Sequence, residues 1–521
     1  MRNKVYIPGQ INNIRVGMSQ IVLSDTETVR PDGSKINKSN SPVTVYDTAG
    51  PYSGSPGIHA AGKGIDRIRE EWYERRKDIT RLEPPSGEPR GKDAFPVQPP
   101  VFRAREGKQI TQMYYAKKRV VTPEMEYVAI RENQQVEAMG LKSYITPDFV
   151  RREIAAGRAI VPSNINHPEV EPMIIGRRFL VKVNTNINPY SRNAEETVGE
   201  MIRSCRWGTD TLIDLSSRDD CFHVREWLIR NCPVPVGTSP LYQALARAGG
   251  RPEELSWALF RDTLIEQARQ GVDFMAIHAA MRKEHLLLTN SRLVNLVSRS
   301  GIILSEWMNT HGEENFLYTH FDEICEILKA CDISLFLSSG LRPDAIYDAN
   351  DPACIAELTE MRHLIEMAWK QHVQTIAEGP GHIPLHKIEA NTKEHLYICK
   401  GVPFFTMGTT ITDIAGVYGY IASAIGGAQA AWHGASLIGN GSMIPVGGRE
   451  DLRAGIIAHK IAAHAADLAK GHPGAQVRDN ALSKARREGR LNDIRRLTVD
   501  FSGGRHGVSA AEGQLTGQPF I

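Results

Sequence analysis

Cysteines are few in this sequence and never paired. The seven thiols, Cys205, Cys221, Cys232, Cys325, Cys331, Cys354 and Cys399, are scattered, none forms a C-x-x-C pair, and none follows Cys399. Such spacing speaks against a disulfide framework, a tetrathiolate zinc site and a cysteine-ligated iron–sulfur cluster, and for reduced, mostly buried thiols. An excess of one charge is missing too: 62 Lys and Arg stand against 60 Asp and Glu, a formal +2. Bulk electrostatics therefore gives no reason for a nucleic-acid or membrane partner. No apolar run approaches the roughly 18 residues that a membrane span needs, and "MRNKVYIPGQINNIRVG" lacks the apolar stretch of a signal peptide. The expectation is a cytoplasmic protein. A G-x-G-x-x-G fingerprint after a strand is also absent, which weighs against an open doubly wound sheet.

What is present suggests a large α/β protein. With 521 residues the chain can bury a sizeable core without covalent staples. Residues 1–105 are rich in Pro, Gly and Ser around one helical island, "IDRIREEWYERRKDI", and suggest an N-terminal α+β lobe with a linker. Residues 106–177 carry helix patterns, including "TPEMEYVAIRENQQVEAMG" with its Thr-Pro-Glu entry and terminal Gly. From about 178, short runs ("RFLVKVNTNI", "DTLIDLS", "VPVGTS", "VDFMAIHAA", "NFLYTH", "ISLFLSSG", "VQTIAEGPG") alternate with amphipathic helices. Strands without two-fold alternation belong to a parallel sheet buried on both faces, and about eight of them predict a (β/α)8 barrel. The barrel is expected over 178–450, with helices and a mobile tail over 451–521.

In such a barrel the C-terminal ends of the strands carry the chemistry. Read in order they offer Asn186, Asp214, Thr238, His278, His320, Ser338 and Ser339 with Arg342, and Glu378 with His382. Two segments, "VSRSG" (297–301) and "SSGLRPD" (338–344), put small residues, a Gly and an Arg together. Close backbone amides with a guanidinium would bind a phosphate; equally, both segments read as ordinary loops with a solvated Arg. Glu378, after "VQTIA", would sit at the barrel mouth as a general acid or base. His382 and His386 are separated by Pro384, so they cannot share a helical face as a metalloprotease pair does, and His386 reads as a hydrogen-bonded core residue.

Longer phrases are more specific: "YYAKKRVVTPEMEYVAIREN", "NHPEVEPMIIGRRFLVKVN", "RDTLIEQARQGVDF", "ENFLYTHFDEICEILKACDIS", "AEGPGHIPLH" and "HKIAAHAADLAKGHPGAQVRDNALSKAR". Through them, from about 110 to 500, the sequence resembles the phosphomethylpyrimidine synthase family, which makes the thiamine pyrimidine from aminoimidazole ribonucleotide. The leading lobe matches more loosely, through "VTVYDTAGPYSG". The resemblance implies a homodimeric barrel enzyme with radical S-adenosylmethionine chemistry, a zinc ion and a C-terminal cysteine-ligated cluster. It also implies nucleotide contacts from Asn186, Tyr242, His278, Ser298, Arg299, Gly340, Leu341, Arg342 and Glu378, and matches His382 to one of two zinc histidines.

The departures define the expected function. The family's C-terminal cysteine motif has no counterpart, and the second zinc histidine, expected near "GNGSMIPVGG" (439–448), is missing from a segment that looks shortened. The loop after Asn186, "INPYSRNAEE", is shortened as well. The family's pocket methionine, glycine, aspartate and tyrosine are Ile213, Ser300, Ser339 and Phe405 here. His433 and His459 stand where tyrosine or phenylalanine is usual; His433 could join His382 and an acid in a divalent-metal site, or both could be packing substitutions. The reading is a diverged, cluster-less member that binds aminoimidazole ribonucleotide or a related phosphoribosyl heterocycle. It would catalyse non-radical elimination, hydrolysis or rearrangement, with Glu378 and His278 exchanging protons. The alternatives are the family's own activity with a cluster supplied otherwise, and a catalytically dead nucleotide sensor or partner subunit.

Overall fold

The computed structural model describes residues 2–53, 62–82, 94–133, 136, 144–187, 193–217, 221–296, 298–440 and 449–499. The expectations for the tail, for the loop at 188–192 and for most of the 439–448 segment therefore lie outside the described residues.

Eight parallel strands form a closed barrel: β1 (Lys182–Ile187), β2 (Thr211–Asp214), β3 (Val236–Thr238), β4 (Phe274–Ile277), β5 (Ser334–Leu337), β6 (Thr375–Glu378), β7 (Phe404–Met407) and β8 (Leu437–Gly439). Closure comes from β8 pairing back onto β1, Lys182 opposite Leu437. The segment "NFLYTH" is not one of the strands. Phe316–Thr319 is a helical turn capped by the Asn315 side chain, because Phe316 is held edge-on by Trp307 and Phe260 in the outer helical layer. His320 follows that turn, stacks on Trp257 at 4.5 Å and pairs with Glu323 at 2.7 Å, so it does not belong to the barrel mouth. The eight strands are completed instead by β7 and β8.

Strand parity sorts the barrel interior into layers. Ile213, Phe274, Ala276, Phe336, Ile376, Phe405 and Leu437 meet on the axis, with Ile160 and Ile175 beneath them. Two residues beyond Ala276, Phe336 and Ile376 on the same parity come His278, Ser338 and Glu378, all buried. A polar layer thus sits directly on an apolar one. On the outside, helix Pro352–Lys370 buries Ala353, Met361, Leu364, Ile365 and Ala368 against the barrel, and in the same stripe a carboxyl, Glu357.

The flanking parts lock onto this frame. Strands Arg2–Pro8 and Arg15–Ile21 form an antiparallel hairpin whose turn amides at Ile11 and Asn12 donate to the Glu126 carboxylate, both at 2.7 Å. Helix Arg449–Ala469, the first of three after the barrel, docks beside β1, where Asp467 accepts from the Val181 amide at 3.0 Å. Among the described residues no helix is long and apolar enough to cross a membrane.

Candidate active site

At the mouth, the Glu378 side chain is fully buried. Its Oε2 accepts from the Ser338 hydroxyl and from the Ser339 amide at 2.8 Å, while Oε1 has no hydrogen-bond partner and faces Arg342 Nη1 at 3.5 Å. Arg342 also donates to Ser339 O at 3.0 Å and to Ser298 Oγ at 3.4 Å. His278 is buried with Nδ1 unpartnered; burial, and then the positive charge of Arg342, push its imidazole down to about 3. At neutral pH it is therefore an uncharged ring, able to give or take one hydrogen bond but not to act as a cation.

A second group stands beside the first. Ser298 caps helix Arg299–His311, its hydroxyl accepting from the Gly301 amide, so the positive end of a 13-residue helix opens next to Arg342. Arg299 lies over the Tyr242 ring at 4.6 Å, and Ser300 Oγ donates to the Tyr242 hydroxyl at 3.1 Å. The two glycine-bearing segments singled out in the sequence touch each other: a β-carbon at Gly301 would fall 2.3 Å from Gly340 O. Only glycine lets the helix start approach the 338–342 turn that closely.

Two amides of that turn do not face the mouth. Those of Gly340 and Leu341 donate to the Glu357 carboxyl at 2.8 and 3.1 Å, and the Ser339 hydroxyl donates to it as well. Anion recognition by these two amides, as the sequence suggested, is thus taken up by a side chain of the protein itself. Burial raises Glu357 to about 7, against the pull of its three donors and with a further push from Glu378. An aspartate in place of Ser339 would set an acceptor against the Glu357 carboxyl; serine supplies a donor. Sequence reasoning passed over Glu357, although a lone glutamate on an apolar helix face was a legible signal.

The remaining candidates divide. Asn186 lies at the end of β1, its side-chain oxygen accepting from Asn184 Nδ2 at 3.2 Å. Ile213 and Phe405 are in the apolar axial layer, Phe405 edge-on to Phe336 at 5.1 Å, and form the floor of the mouth rather than its polar wall. His382 follows β6 with Nδ1 2.8 Å from Asp413 and Nε2 3.4 Å from Asp344. Carboxylates on opposite edges of one ring cannot close on a single ion. His433 ends helix Gly419–His433, just before β8 and hence at the opposite end of the barrel, 3.9 Å from Glu389. The postulated pairing of His433 with His382 is therefore not formed. His459 is an interior packing residue with both nitrogens engaged, by Ser423 Oγ at 2.9 Å and Gly455 O at 2.8 Å, and His386 is exposed rather than in a core. Among the described residues no group of three or more His, Cys, Asp or Glu side chains is arranged to hold a metal.

The family described as the Radical SAM ThiC family matches residues 111–513, and the ThiC-associated domain matches residues 1–80. The chain belongs to the ThiC family. It is thereby a member of an enzyme family of thiamine biosynthesis that makes the pyrimidine half of the vitamin. Among solved structures the chain is similar to dihydropteroate synthases of Coxiella burnetii (13% identity, 56% of this chain and 94% of that one, TM-score 0.34) and Stenotrophomonas maltophilia (13%, 58% and 96%, 0.35). That of Yersinia pestis is similar at 10% identity over 56% of this chain and 94% of that one, TM-score 0.34. Likeness at this level carries no argument about chemistry.

ThiC membership implies a cysteine-ligated cluster, and the donors in this sequence do not fit one. Cys205, Cys232, Cys331 and Cys399 lie in the connections entering β2, β3, β5 and β7, at the barrel base, away from Glu378. Burial pushes Cys331 and Cys399 up to about 12, and Cys325, on an outer helix, likewise, so these rest as neutral thiols. Nothing brings three sulfurs of these seven together at the mouth.

Proposed function

We propose that this chain binds aminoimidazole ribonucleotide or a closely related phosphoribosyl heterocycle at the barrel mouth and transforms it by non-radical elimination, hydrolysis or rearrangement. One observation carries the reading: an orphaned carboxylate oxygen of Glu378, an orphaned neutral nitrogen of His278 and the Arg342 guanidinium converge beside the open start of helix Arg299–His311. In this reading Arg299 and Arg342 with the helix N-terminus anchor the phosphate, and Asn186 and Tyr242 orient sugar and ring. Glu378 takes a proton through Oε1, and His278, uncharged, gives or takes one hydrogen bond at Nδ1 and so orients the ligand. Ile213 and Phe405 keep water from beneath. The scattered placement of the seven cysteines supports chemistry that does not run through a cluster held by them.

A homodimer in the cytoplasm accompanies the proposal. It is supported by an apolar face on helix Gly419–His433, where Ile421, Ile425 and Trp432 share one side and are about half exposed, next to Ile414, which is 93% exposed.

The test is aerobic incubation of the purified protein with aminoimidazole ribonucleotide, without S-adenosylmethionine, followed by mass spectrometry beside a binding titration. A new product mass is expected. Tight binding with unchanged ligand points instead to a nucleotide sensor, and no binding refutes the ligand class.

A further inference from the structure

We infer that Glu357 is a positioning residue of the mouth: from the helix behind the barrel it fixes the Ser339–Leu341 turn, and thereby the aim of Arg342 and of the Ser339 amide at Glu378. Its functional half rests on the reading that the mouth takes a phosphoribosyl ligand.

Ser339 is the hub of the argument. Its hydroxyl donates to Glu357, its amide donates to Glu378 at 2.8 Å, and its carbonyl accepts from Arg342 at 3.0 Å. One residue thus joins the buried carboxyl behind the strand to both charged groups in front of it. The next two residues repeat the attachment through their amides, and Leu341 is fully buried. The turn is closely packed, since a β-carbon at Gly340 would stand 2.6 Å from Met281 Sδ and one at Gly301 would stand 2.3 Å from Gly340 O. Remove the acceptor, and three buried donors lose their partner together.

The arrangement is also sensitive to pH. Glu357, Ser339, Arg342, Glu378 and His395 border one cavity of about 40 Å³, more than the roughly 10–15 Å³ that a water molecule requires. The groups facing Glu357 are Glu378 from β6, Arg342 from the turn, Cys354 on its own helix and His395 from helix Ile388–Ile398. Burial holds Cys354 as a neutral thiol and pushes His395 down to about 4, a neutral imidazole. With Glu357 raised to about 7, protonation turns one of its acceptor positions into a donor as pH falls through neutrality. The grip on the turn then weakens on the acid side.

Hydrogen exchange of the full chain, read on the peptide over residues 336–342 and corrected for the intrinsic pH dependence of exchange, tests this between about pH 6 and 8.5. Protection in the wild type should fall about tenfold on the acid side of neutrality, whereas Glu357→Gln should be poorly protected at every pH. In parallel, Glu357→Gln should bind aminoimidazole ribonucleotide about tenfold more weakly than wild type at pH 8, with the gap closing toward pH 6. Equal protection, or the same pH profile in both proteins, overturns the inference. Should Glu357→Gln not fold, Ser339→Ala removes one donor and leaves the carboxyl; the wild-type step should then move to higher pH, and an unmoved step overturns the inference. A wild type that takes up no ribonucleotide refutes the functional reading, while the exchange data still decide the positioning role.

Discussion

Glu378→Gln separates binding from chemistry at this mouth. The side chain is fully buried, so the change is felt without dilution by solvent, and glutamine has the same shape. Its carbonyl can keep the Ser338 and Ser339 donors, but the hydrogen bonds become neutral rather than charge-assisted, a loss of about 1 kcal/mol each. Its amide then points NH groups at Arg342, 3.5 Å away. Arg342 keeps Ser298 and the Ser339 carbonyl and is 18% exposed, so losing its counter-charge adds about 1 kcal/mol rather than the 3–5 of a sealed pair. Together these make about 3 kcal/mol, a fall in melting temperature of about 3 °C for a chain of this length. Ribonucleotide affinity should change by less than about tenfold, because Arg299 and Arg342 both keep their charge, while turnover should drop by about 10²–10⁴. Thermal melts, calorimetric titration and mass-spectrometric turnover measure the three quantities. Turnover within about threefold of wild type would remove Glu378 from the mechanism.

Further outcomes follow from the same structure. Gly301→Ala puts a β-carbon 2.3 Å from Gly340 O, so helix start and turn must part; a loss of about 1–3 kcal/mol in urea unfolding and weaker ribonucleotide binding are expected, and an unperturbed variant would contradict the close approach. Burial holds His278 at about 3 and His395 and His459 at about 4, so the unfolded chain takes up these protons as pH falls through 6.5 while the folded chain refuses them, which lowers stability. Glu357 and Asp332, raised to about 7, oppose this by binding protons first in the folded chain. Three histidines against two partly offsetting carboxyls leave a loss of about 1.4 kcal/mol per pH unit near pH 5. Urea midpoints that rise from pH 6 to 4.5 would refute it. His382→Ala should leave the metal content of the purified protein unchanged, as measured by mass spectrometry of the elements, since the carboxylates flanking His382 stand on opposite edges of its ring.

Legibility followed the range of the interactions. The barrel could be read because six of its strands are runs of β-branched and aromatic residues separated by amphipathic helices, and the mouth residues His278, Ser338 and Glu378 followed from their places at the strand ends. "NFLYTH" misled because its aromatics serve the packing of an outer turn, which local pattern cannot tell from a strand core. Distance between His382 and His433 was invisible because it depends on which end of the barrel each helix terminus meets. The occupied amides of Gly340 and Leu341 were invisible for a related reason: their partner arrives from a helix more than a dozen residues on. Glu357 was the one polar interruption in the stripe from Ala353 to Ala368, and a buried polar residue needs a partner.

The apolar layer across the barrel axis, from Ile213 and Phe274 to Phe405 and Leu437, makes the mouth a blind chamber. Among the described residues the floor offers no passage, so on the proposed reading ligand, product and exchanging protons share one doorway. Product must clear that doorway before the next ligand can use it, and any second protein that feeds or drains the chamber has to sit on the same rim. A bulky inhibitor lodged there would block entry and exit at once. Enlarging the floor at Ile213 or Leu437 would open no second route, since Ile160 and Ile175 stand behind them.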